Sequence, residues 1–275
     1  MIKCIIHMAD VHIRPYKRLK EYTQSLTRVI KEIDKVASNY ERREVRIVIA
    51  GDLTHNKYDI SNELIAFTST WIRDLEQIAE VIVISGNHDV NINNEARMDT
   101  LTALFSAALF PNSVHFDSYL KYDSGIVVDD NVTWALYSIF SNFRKPDIEQ
   151  AKKENPDNIV LGLFHGPIVG AKLNNGTLID SGIDKDLFEG CDFVLAGDIH
   201  KRQVIRQGET EIVYPGSLIQ QDFGETVSEH GFAVWDLENR SYSFVDVEND
   251  YPMYSIGIES MNDIENDKET LLNWK

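Results

Sequence analysis

The sequence predicts an α/β fold in which helices cover a central sheet. Through residue 85, apolar β-branched runs alternate with segments of helical periodicity, a pattern typical of strands joined by helices. From residue 114 onward the apolar runs are short and separated by turn residues, which indicates hairpins. Polar motifs rich in Asp and His directly follow several of these runs. The fold class and a candidate site are therefore predicted by the same pattern.

The first part of the chain predicts strands at residues 2–8, 45–50 and 81–85. Helices are predicted over residues 17–39, 62–78 and 101–108. In the first helix, apolar side chains recur every three or four positions from Leu19 to Val36, so we expect this stripe to face the sheet.

The second part predicts short strands. They lie at residues 125–128, 132–139, 159–164, 193–195, 203–206, 211–214, 231–237 and 242–247. Residues 207–210 and Glu238-Asn239 separate the members of two predicted hairpins. We take residues 1–248 as one domain. Residues 249–275, with one strand-like piece at 253–259 and an acidic stretch at 260–269, are expected to begin a second, truncated element.

Composition limits the classes of protein. The 275 residues suit one large α/β domain, and no apolar run approaches the ~18 residues of a membrane helix. Cys4 and Cys191 are too few for a disulfide framework, so we expect a reducing, cytoplasmic protein without membrane association. The net charge of −17 argues against a nonspecific nucleic-acid coat protein. Residues 1–60, however, hold 12 Lys+Arg against 8 Asp+Glu, so a bound nucleic acid should meet this part.

Five short motifs each follow an apolar run. In chain order they are Asp10-Val11-His12, Gly51-Asp52-Leu53-Thr54-His55, Gly86-Asn87-His88-Asp89, His165-Gly166 and Gly197-Asp198-Ile199-His200. Sites of open α/β sheets lie beyond the carboxyl ends of the strands, so separate strands would deliver these side chains to one place. Asp10 and His12 are two residues apart and can point to the same side of a strand end.

The residue types suit divalent metals. Carboxylate and amide oxygens mixed with imidazole favour Mn²⁺, Fe²⁺ or Zn²⁺ over Ca²⁺. Both cysteines lie outside the motifs, which argues against a structural zinc site. Two metals ~3.5–4 Å apart need a bridging ligand, and Asp52 is the predicted one. Asp89 and His55 are predicted to orient ligands, although His55 could simply close a turn.

Motif by motif, residues 2–248 resemble the calcineurin-like metallophosphoesterase family. The resemblance implies a four-layer α/β/β/α sandwich and two divalent ions, Mn²⁺ first, with Mg²⁺, Fe²⁺ or Zn²⁺ as alternatives. It assigns one metal to Asp10, His12, Asp52 and His200, and the other to Asp52, Asn87, His165 and Asp198. A hydroxide bridging the metals would attack phosphorus in line, and His88 would donate a proton or stabilise the transition state.

A narrower resemblance rests on four segments. They are Phe164-His165-Gly166-Pro167, residues 196–201, residues 214–220, and Phe223-Gly224-Glu225 with Gly231-Phe232. These segments are similar to those of SbcD/MRE-type DNA repair nucleases of bacteria and phages. The similarity implies exonuclease and endonuclease activity, an SbcC-type coiled-coil ABC ATPase as partner, and a capping domain that would begin at 249–275. It also implies a homodimer formed through helices such as 62–78 or 93–108, whose alternative role is core packing. A phage-encoded protein would work in the host cytoplasm.

One position departs from the family. Asp198 stands where the family has His. A carboxylate can still bind a metal, but two divalent ions against three aspartates and a hydroxide sum to zero rather than +1. Weaker activation of water is the expected consequence.

Several assignments stay open. DNA contacts are predicted for Arg14, Lys17, Arg18, Lys20 and Lys201, although a solvated helix start explains most of them equally well. His7 is predicted to be a core or supporting histidine, and His115 and His230 to lie on the surface. The function is a DNA nuclease, a phosphodiesterase or phosphatase on a small molecule, or a structural partner of the ATPase in which Asp198 cripples the second metal site.

Overall fold

Two six-stranded sheets form the centre of the structure, and helices cover their outer faces. The computed structural model describes residues 1–57, 60–94, 97–105, 119–120 and 123–254. The predicted strand at 253–259 falls mostly outside these residues, as do the acidic stretch at 260–269, His115 and most of the predicted second element. The capping domain therefore stays a prediction.

The first sheet combines the N-terminal strands with the last hairpin. Its members are β1 (Cys4–Met8), β2 (Val45–Ala50), β3 (Glu80–Ile84), β4 (Tyr119–Leu120), β11 (Gly231–Asp236) and β12 (Ser241–Asp246). Their order is β12-β11-β1-β2-β3-β4. Strands β1 to β4 are parallel, and β11 runs antiparallel to β1.

The second sheet is made from the middle of the chain. Its members are β5 (Gly125–Asp129), β6 (Val132–Tyr137), β7 (Ile159–His165), β8 (Phe193–Gly197), β9 (Gln203–Gln207) and β10 (Thr210–Tyr214). Their order is β5-β6-β7-β8-β10-β9, and β6, β7, β8 and β10 are parallel. The strand predictions agree with these bounds to within two residues.

Helices α1 (Pro15–Ala37) and α2 (Asn62–Ile78) pack on the outer face of the first sheet. The predicted stripe of α1 is buried at Tyr22, Leu26, Val29 and Ile33, whereas Leu19 is half exposed. Ser61 caps α2, because its side chain accepts a hydrogen bond from the Leu64 N–H at 3.2 Å. The buried face of α2 packs in the core, which is the alternative to a dimer interface.

The remaining helices are short. Helix α3 (Thr100–Leu104) ends four residues before the predicted bound of 108, and residues 106–118 lie outside the described part. Helix α4 (Ile148–Glu154) and the 3₁₀ turn at Lys185–Phe188 cover the outer face of the second sheet through Ile148 and Phe188. Among the described helices, none has the length and apolar composition needed to cross a bilayer.

Apolar side chains fill the space between the sheets. Ile5, Val48 and Ile82 come from the first sheet, and Leu161 and Leu195 from the second. The resulting layers are helix, sheet, sheet and helix, so the four-layer fold is confirmed. The single central sheet expected from alternation alone is wrong, because periodicity does not reveal which sheet a strand joins.

Candidate metal centre

The site lies where parallel strands of the two sheets end. Strands β1, β2 and β3 end at Met8, Ala50 and Ile84. Strands β7 and β8 end at His165 and Gly197. All five motifs follow or include these ends, and their side chains meet in a single cluster.

The backbone at the site is unusual. Asp10, His12, Asp52 and Asp198 have φ values of 51°, 49°, 53° and 93°. Non-glycine residues in this left-handed region cost on the order of 1 kcal/mol each and gather at functional sites. The prediction that Asp10 and His12 alternate along a strand end is wrong, because β1 ends at Met8 and the chain turns at both residues. The turns nevertheless place Asp10 Oδ1 4.0 Å from His12 Nε2.

One group of donors contains Asp10, His12 and His200, whose ligand atoms lie within 4.8 Å of one another. The Nε2 atoms of His12 and His200 are 3.0 Å apart. Asp52 Oδ2 lies 3.5 Å from the same His12 nitrogen. These four side chains are the predicted ligands of one metal.

A second group contains Asp10, Asp52 and His165, again within 4.8 Å. His165 Nε2 lies 3.4 Å from Asp52 Oδ1 and 3.4 Å from Asn87 Oδ1. Asp198 is more distant, with Oδ1 3.8 Å from the same nitrogen. The two oxygens of Asp52 thus face the two groups, which is the geometry that a bridging ligand needs.

Hydrogen bonds orient two of the imidazoles. His165 Nδ1–H donates to the Ala50 carbonyl at 2.7 Å, which leaves Nε2 as the ligand atom. Gly51 makes room for this ring, because a Cβ there would lie 2.2 Å from His165 Nδ1. His200 Nδ1 contacts Glu225 Oε1 at 2.5 Å. The sequence prediction missed both partners, because a backbone carbonyl carries no sequence signal and Glu225 stood out only as part of a family segment.

His88 projects beside the donors. Its Nδ1 is 2.8 Å from the His55 carbonyl, and its backbone N–H donates to Asp52 Oδ1 at 2.8 Å. The His55 ring stacks on the His88 ring, and His55 Nε2 accepts from Arg14 Nη1 at 3.0 Å. Ring nitrogens of both histidines also lie within 4.8 Å of one of His12. His55 therefore supports His88 through both its ring and its main chain.

Asp89 binds loop backbone rather than the ligand side chains. It is buried and accepts from the N–H groups of Leu53, Thr54 and Gly86 at 3.2, 2.8 and 3.0 Å. Asp89 thus ties the Asp52 loop to the loop of Asn87 and His88. Any orienting effect of Asp89 on the ligands acts through these loops.

The electrostatics fit divalent cations. Burial raises the pKa of Asp10 to about 7, because its charge lies in a cluster closed off from water. Burial also raises the pKa of Asp198. Burial alone would lower the pKa of His165, but Asp52, Asp10 and Asp198 hold it well above its usual value. Such buried carboxylates need positive charge, and metals that bind here would replace these protons.

The predicted DNA contacts differ in their surroundings. The Arg14 guanidinium donates to the Gln221 carbonyl at 2.6 Å, and that of Arg18 donates to Glu21 and to the Gln220 carbonyl. Lys17 and Lys20 are exposed. Lys201 borders a cleft of about 350 Å³ whose lining includes Asp198 and His200. The DNA contacts stay predictions, and Lys201 has the most direct position for one.

Two other histidines are buried. His7 is fully buried in β1, and burial lowers its pKa to about 3, as suits a core residue. The prediction that His230 lies on the surface is wrong. It is 5% exposed, and its ring contacts Ser217 and the Thr226 carbonyl.

Comparison with curated proteins gives two informative relatives. The uncharacterized protein R555 of Acanthamoeba polyphaga mimivirus is 34% identical over 274 residues, which make up 94% of this chain and 19% of that protein. SbcD, a component of the nuclease SbcCD of Staphylococcus epidermidis, is 26% identical over 257 residues, or 86% of this chain and 66% of the relative. The chain thus spans about a fifth of the viral protein and just under two thirds of the bacterial one.

Fold comparison agrees. A dimetal phosphatase from Danio rerio superposes with a TM-score of 0.53 at 11% identity, covering 86% of this chain and 93% of that structure. The family model of the calcineurin-like phosphoesterase superfamily domain matches residues 4–240, a range that contains every motif at the site. The chain therefore belongs to the calcineurin-like phosphoesterase superfamily.

Proposed function

We propose that this chain hydrolyses phosphodiester bonds of DNA with two divalent metal ions, Mn²⁺ first. Phosphoester hydrolysis is the chemistry of the superfamily. The observation that carries the proposal is the position of Asp52, whose two oxygens face two groups of metal-binding side chains. One ion would be held by Asp10, His12, Asp52 and His200. The other would be held by Asp52, Asn87, His165 and Asp198.

The metals supply charge neutralisation for the phosphate and a lower pKa for an attacking water. The protein holds the ligands in place through strained loops and buried hydrogen bonds. His88 supplies the proton chemistry. If its Nδ1–H donates to the His55 carbonyl, Nε2 is the atom that can donate to the leaving oxygen when the ring is an imidazolium.

Three observations favour DNA as the substrate. The chain is similar to SbcD of the nuclease SbcCD over 86% of its length. Residues 1–60 are basic in an otherwise acidic chain. The cleft beside Asp198 and His200 offers Lys201 and Asn174 next to the donors. By the same similarity we propose an SbcC-type ATPase as partner, a homodimer and a cytoplasmic location.

The net charge of −17 favours a second candidate, a phosphodiesterase or phosphatase acting on a small molecule. Assaying radiolabelled DNA and bis-nitrophenyl phosphate with Mn²⁺, each with and without a coexpressed ATPase, separates the two. A DNA nuclease should release nucleotides and be stimulated by the ATPase. Turnover of the nitrophenyl ester without any cleavage of DNA would select the small-molecule enzyme.

Replacing Lys201 with Ala should weaken DNA binding and leave the chemistry intact. Loss of one phosphate contact is expected to reduce the salt slope of DNA affinity by about 1. Hydrolysis of bis-nitrophenyl phosphate should stay within about twofold of wild type, because this small ester reaches no distant phosphate. Filter binding over a range of salt concentrations and steady-state assays measure the two effects.

Lys152→Ala is the matched control, because this lysine is exposed on α4 at the outer face of the second sheet. Its DNA affinity and salt slope should equal those of wild type. Equal salt slopes for Lys201→Ala and wild type would remove Lys201 from the DNA-binding surface.

Replacing Asp198 with His tests the position that departs from the family. We expect wild type and variant both to bind two metals, because the Asp198 carboxylate already lies 3.8 Å from His165 Nε2. The variant should show higher turnover at saturating Mn²⁺, since one negative charge less strengthens activation of water. Native mass spectrometry counts the metals, and steady-state assays give kcat. One metal in wild type and two in the variant would instead support the structural partner with a crippled second site.

A further inference from the structure

Glu225 lies in the loop between β10 and β11, 25 positions after the histidine that it contacts. Its side chain is 2% exposed, and Oε1 lies 2.5 Å from His200 Nδ1. Asp10 Oδ1 lies on the other side of the ring, 3.9 Å from His200 Nε2. The imidazole of His200 is therefore held between a loop carboxylate and the candidate metal site.

The second oxygen of Glu225 is also occupied. Oε2 accepts a hydrogen bond from Ser217 Oγ at 2.8 Å and another from the Gln221 N–H at 2.8 Å. With both oxygens engaged, the carboxylate can rotate neither toward solvent nor toward the donors. A buried carboxylate that accepts three hydrogen bonds is a rigid acceptor for a ring N–H.

The loop that carries Glu225 also holds the main chain of two candidate ligands. The Ser217 N–H donates to the His200 carbonyl at 3.1 Å, and the Leu218 N–H reaches the Asp10 carbonyl at 3.4 Å. His230 closes the arrangement, because its Nδ1 lies 3.0 Å from Ser217 Oγ. The family segment at 214–220 thus braces both the backbone and, through Glu225, a side chain of the site.

We propose that Glu225 is the positioning residue of His200. By accepting the Nδ1–H, it leaves the lone pair on Nε2 and aims that atom at His12 and Asp10. It raises the affinity of this half of the site for a divalent ion without touching the ion or the substrate. The inference rests on the proposed metal site, and it adds a determinant of metal affinity from a segment outside the five motifs.

Glu225→Gln is the sharpest test, because it keeps the size of the side chain. The amide must place its NH₂ at one of two positions. Facing His200, the NH₂ would donate to Nδ1 and move the ring proton to Nε2, where it blocks metal binding. Facing the Gln221 N–H, it would set two donors against each other. Either arrangement disturbs His200.

The expected result is a 10- to 100-fold weaker affinity for one Mn²⁺ per chain, on the order typical of lost histidine partners. Titration with Mn²⁺, followed by electron paramagnetic resonance of the free ion, measures this without any substrate. Ser217→Ala should give a smaller loss, because Glu225 keeps two of its three hydrogen bonds. This second variant also tests the proposal if Glu225→Gln does not fold.

Glu21→Gln is the control. Glu21 is a buried carboxylate that accepts hydrogen bonds from Arg18 and Asn249, neither of which is a candidate ligand. The Mn²⁺ affinity of this variant should equal that of wild type, even if the variant is less stable. Wild-type affinity in Glu225→Gln, or an equal loss in Glu21→Gln, would overturn the inference. Failure of wild type to bind Mn²⁺ at all would instead overturn the proposed function.

Discussion

Replacing Asp52 with Asn is expected to abolish hydrolysis, with a loss of at least about 10³-fold in kcat. The carboxylate faces both donor groups, so its neutralisation weakens both metals at once. The backbone should tolerate the change, because Asn adopts the left-handed conformation that Asp52 has at φ 53°. The loss should therefore reflect ligand chemistry. Steady-state assays with Mn²⁺ and metal counting by mass spectrometry measure the two effects.

The matched control is Asp74→Asn, on the exposed face of α2. This variant should keep wild-type turnover and two metals. Two tightly bound metals in Asp52→Asn would contradict a bridging role and would assign the bridge to another carboxylate. Asp10 is the next candidate, because it belongs to both donor groups.

Replacing His88 with Ala is expected to keep both metals and to lower the turnover of DNA by about 10²–10⁴-fold, the range for loss of a general acid. His88 lies beside the donors and is absent from the two groups that include Asp10. Metal counting should therefore be unchanged. Turnover should fall because the leaving alkoxide of DNA needs a proton.

The choice of substrate separates two roles of His88. Nitrophenolate leaves without a proton, so a general acid should matter little for bis-nitrophenyl phosphate and much for DNA. A histidine that stabilises the phosphoryl oxygens should matter equally for both substrates. Wild-type turnover of DNA by His88→Ala would remove this residue from the mechanism.

The sequence identified the donors because their signal is local. An Asp, Asn or His directly after an apolar run marks a strand end, and parallel strand ends meet at one edge. Asp10, Asp52 and His165 are predictable in this way, and they lie within 4.8 Å of one another. The helix of residues 62–78 and the strand of residues 45–50 have the predicted bounds for a similar reason, since periodicity is a property of neighbouring residues.

What the sequence could not decide depends on distant contacts. The division of the strands between two sheets is one example, because β11 pairs with β1 from the opposite end of the domain. The buried state of His230 is another, because it depends on packing against Ser217 and Thr226. Neither contact leaves a local pattern.

The sequence by itself determined the fold class, most strand positions and the residues that could bind metal. Only the tertiary structure decided that Asp52 stands between two donor groups, that Asp10 and His12 lie on left-handed turns, and that Glu225 holds His200. The physical reason is range. Burial and periodicity act between near neighbours, whereas the orientation of a ligand is set by hydrogen bonds from whichever loop the fold brings beside it.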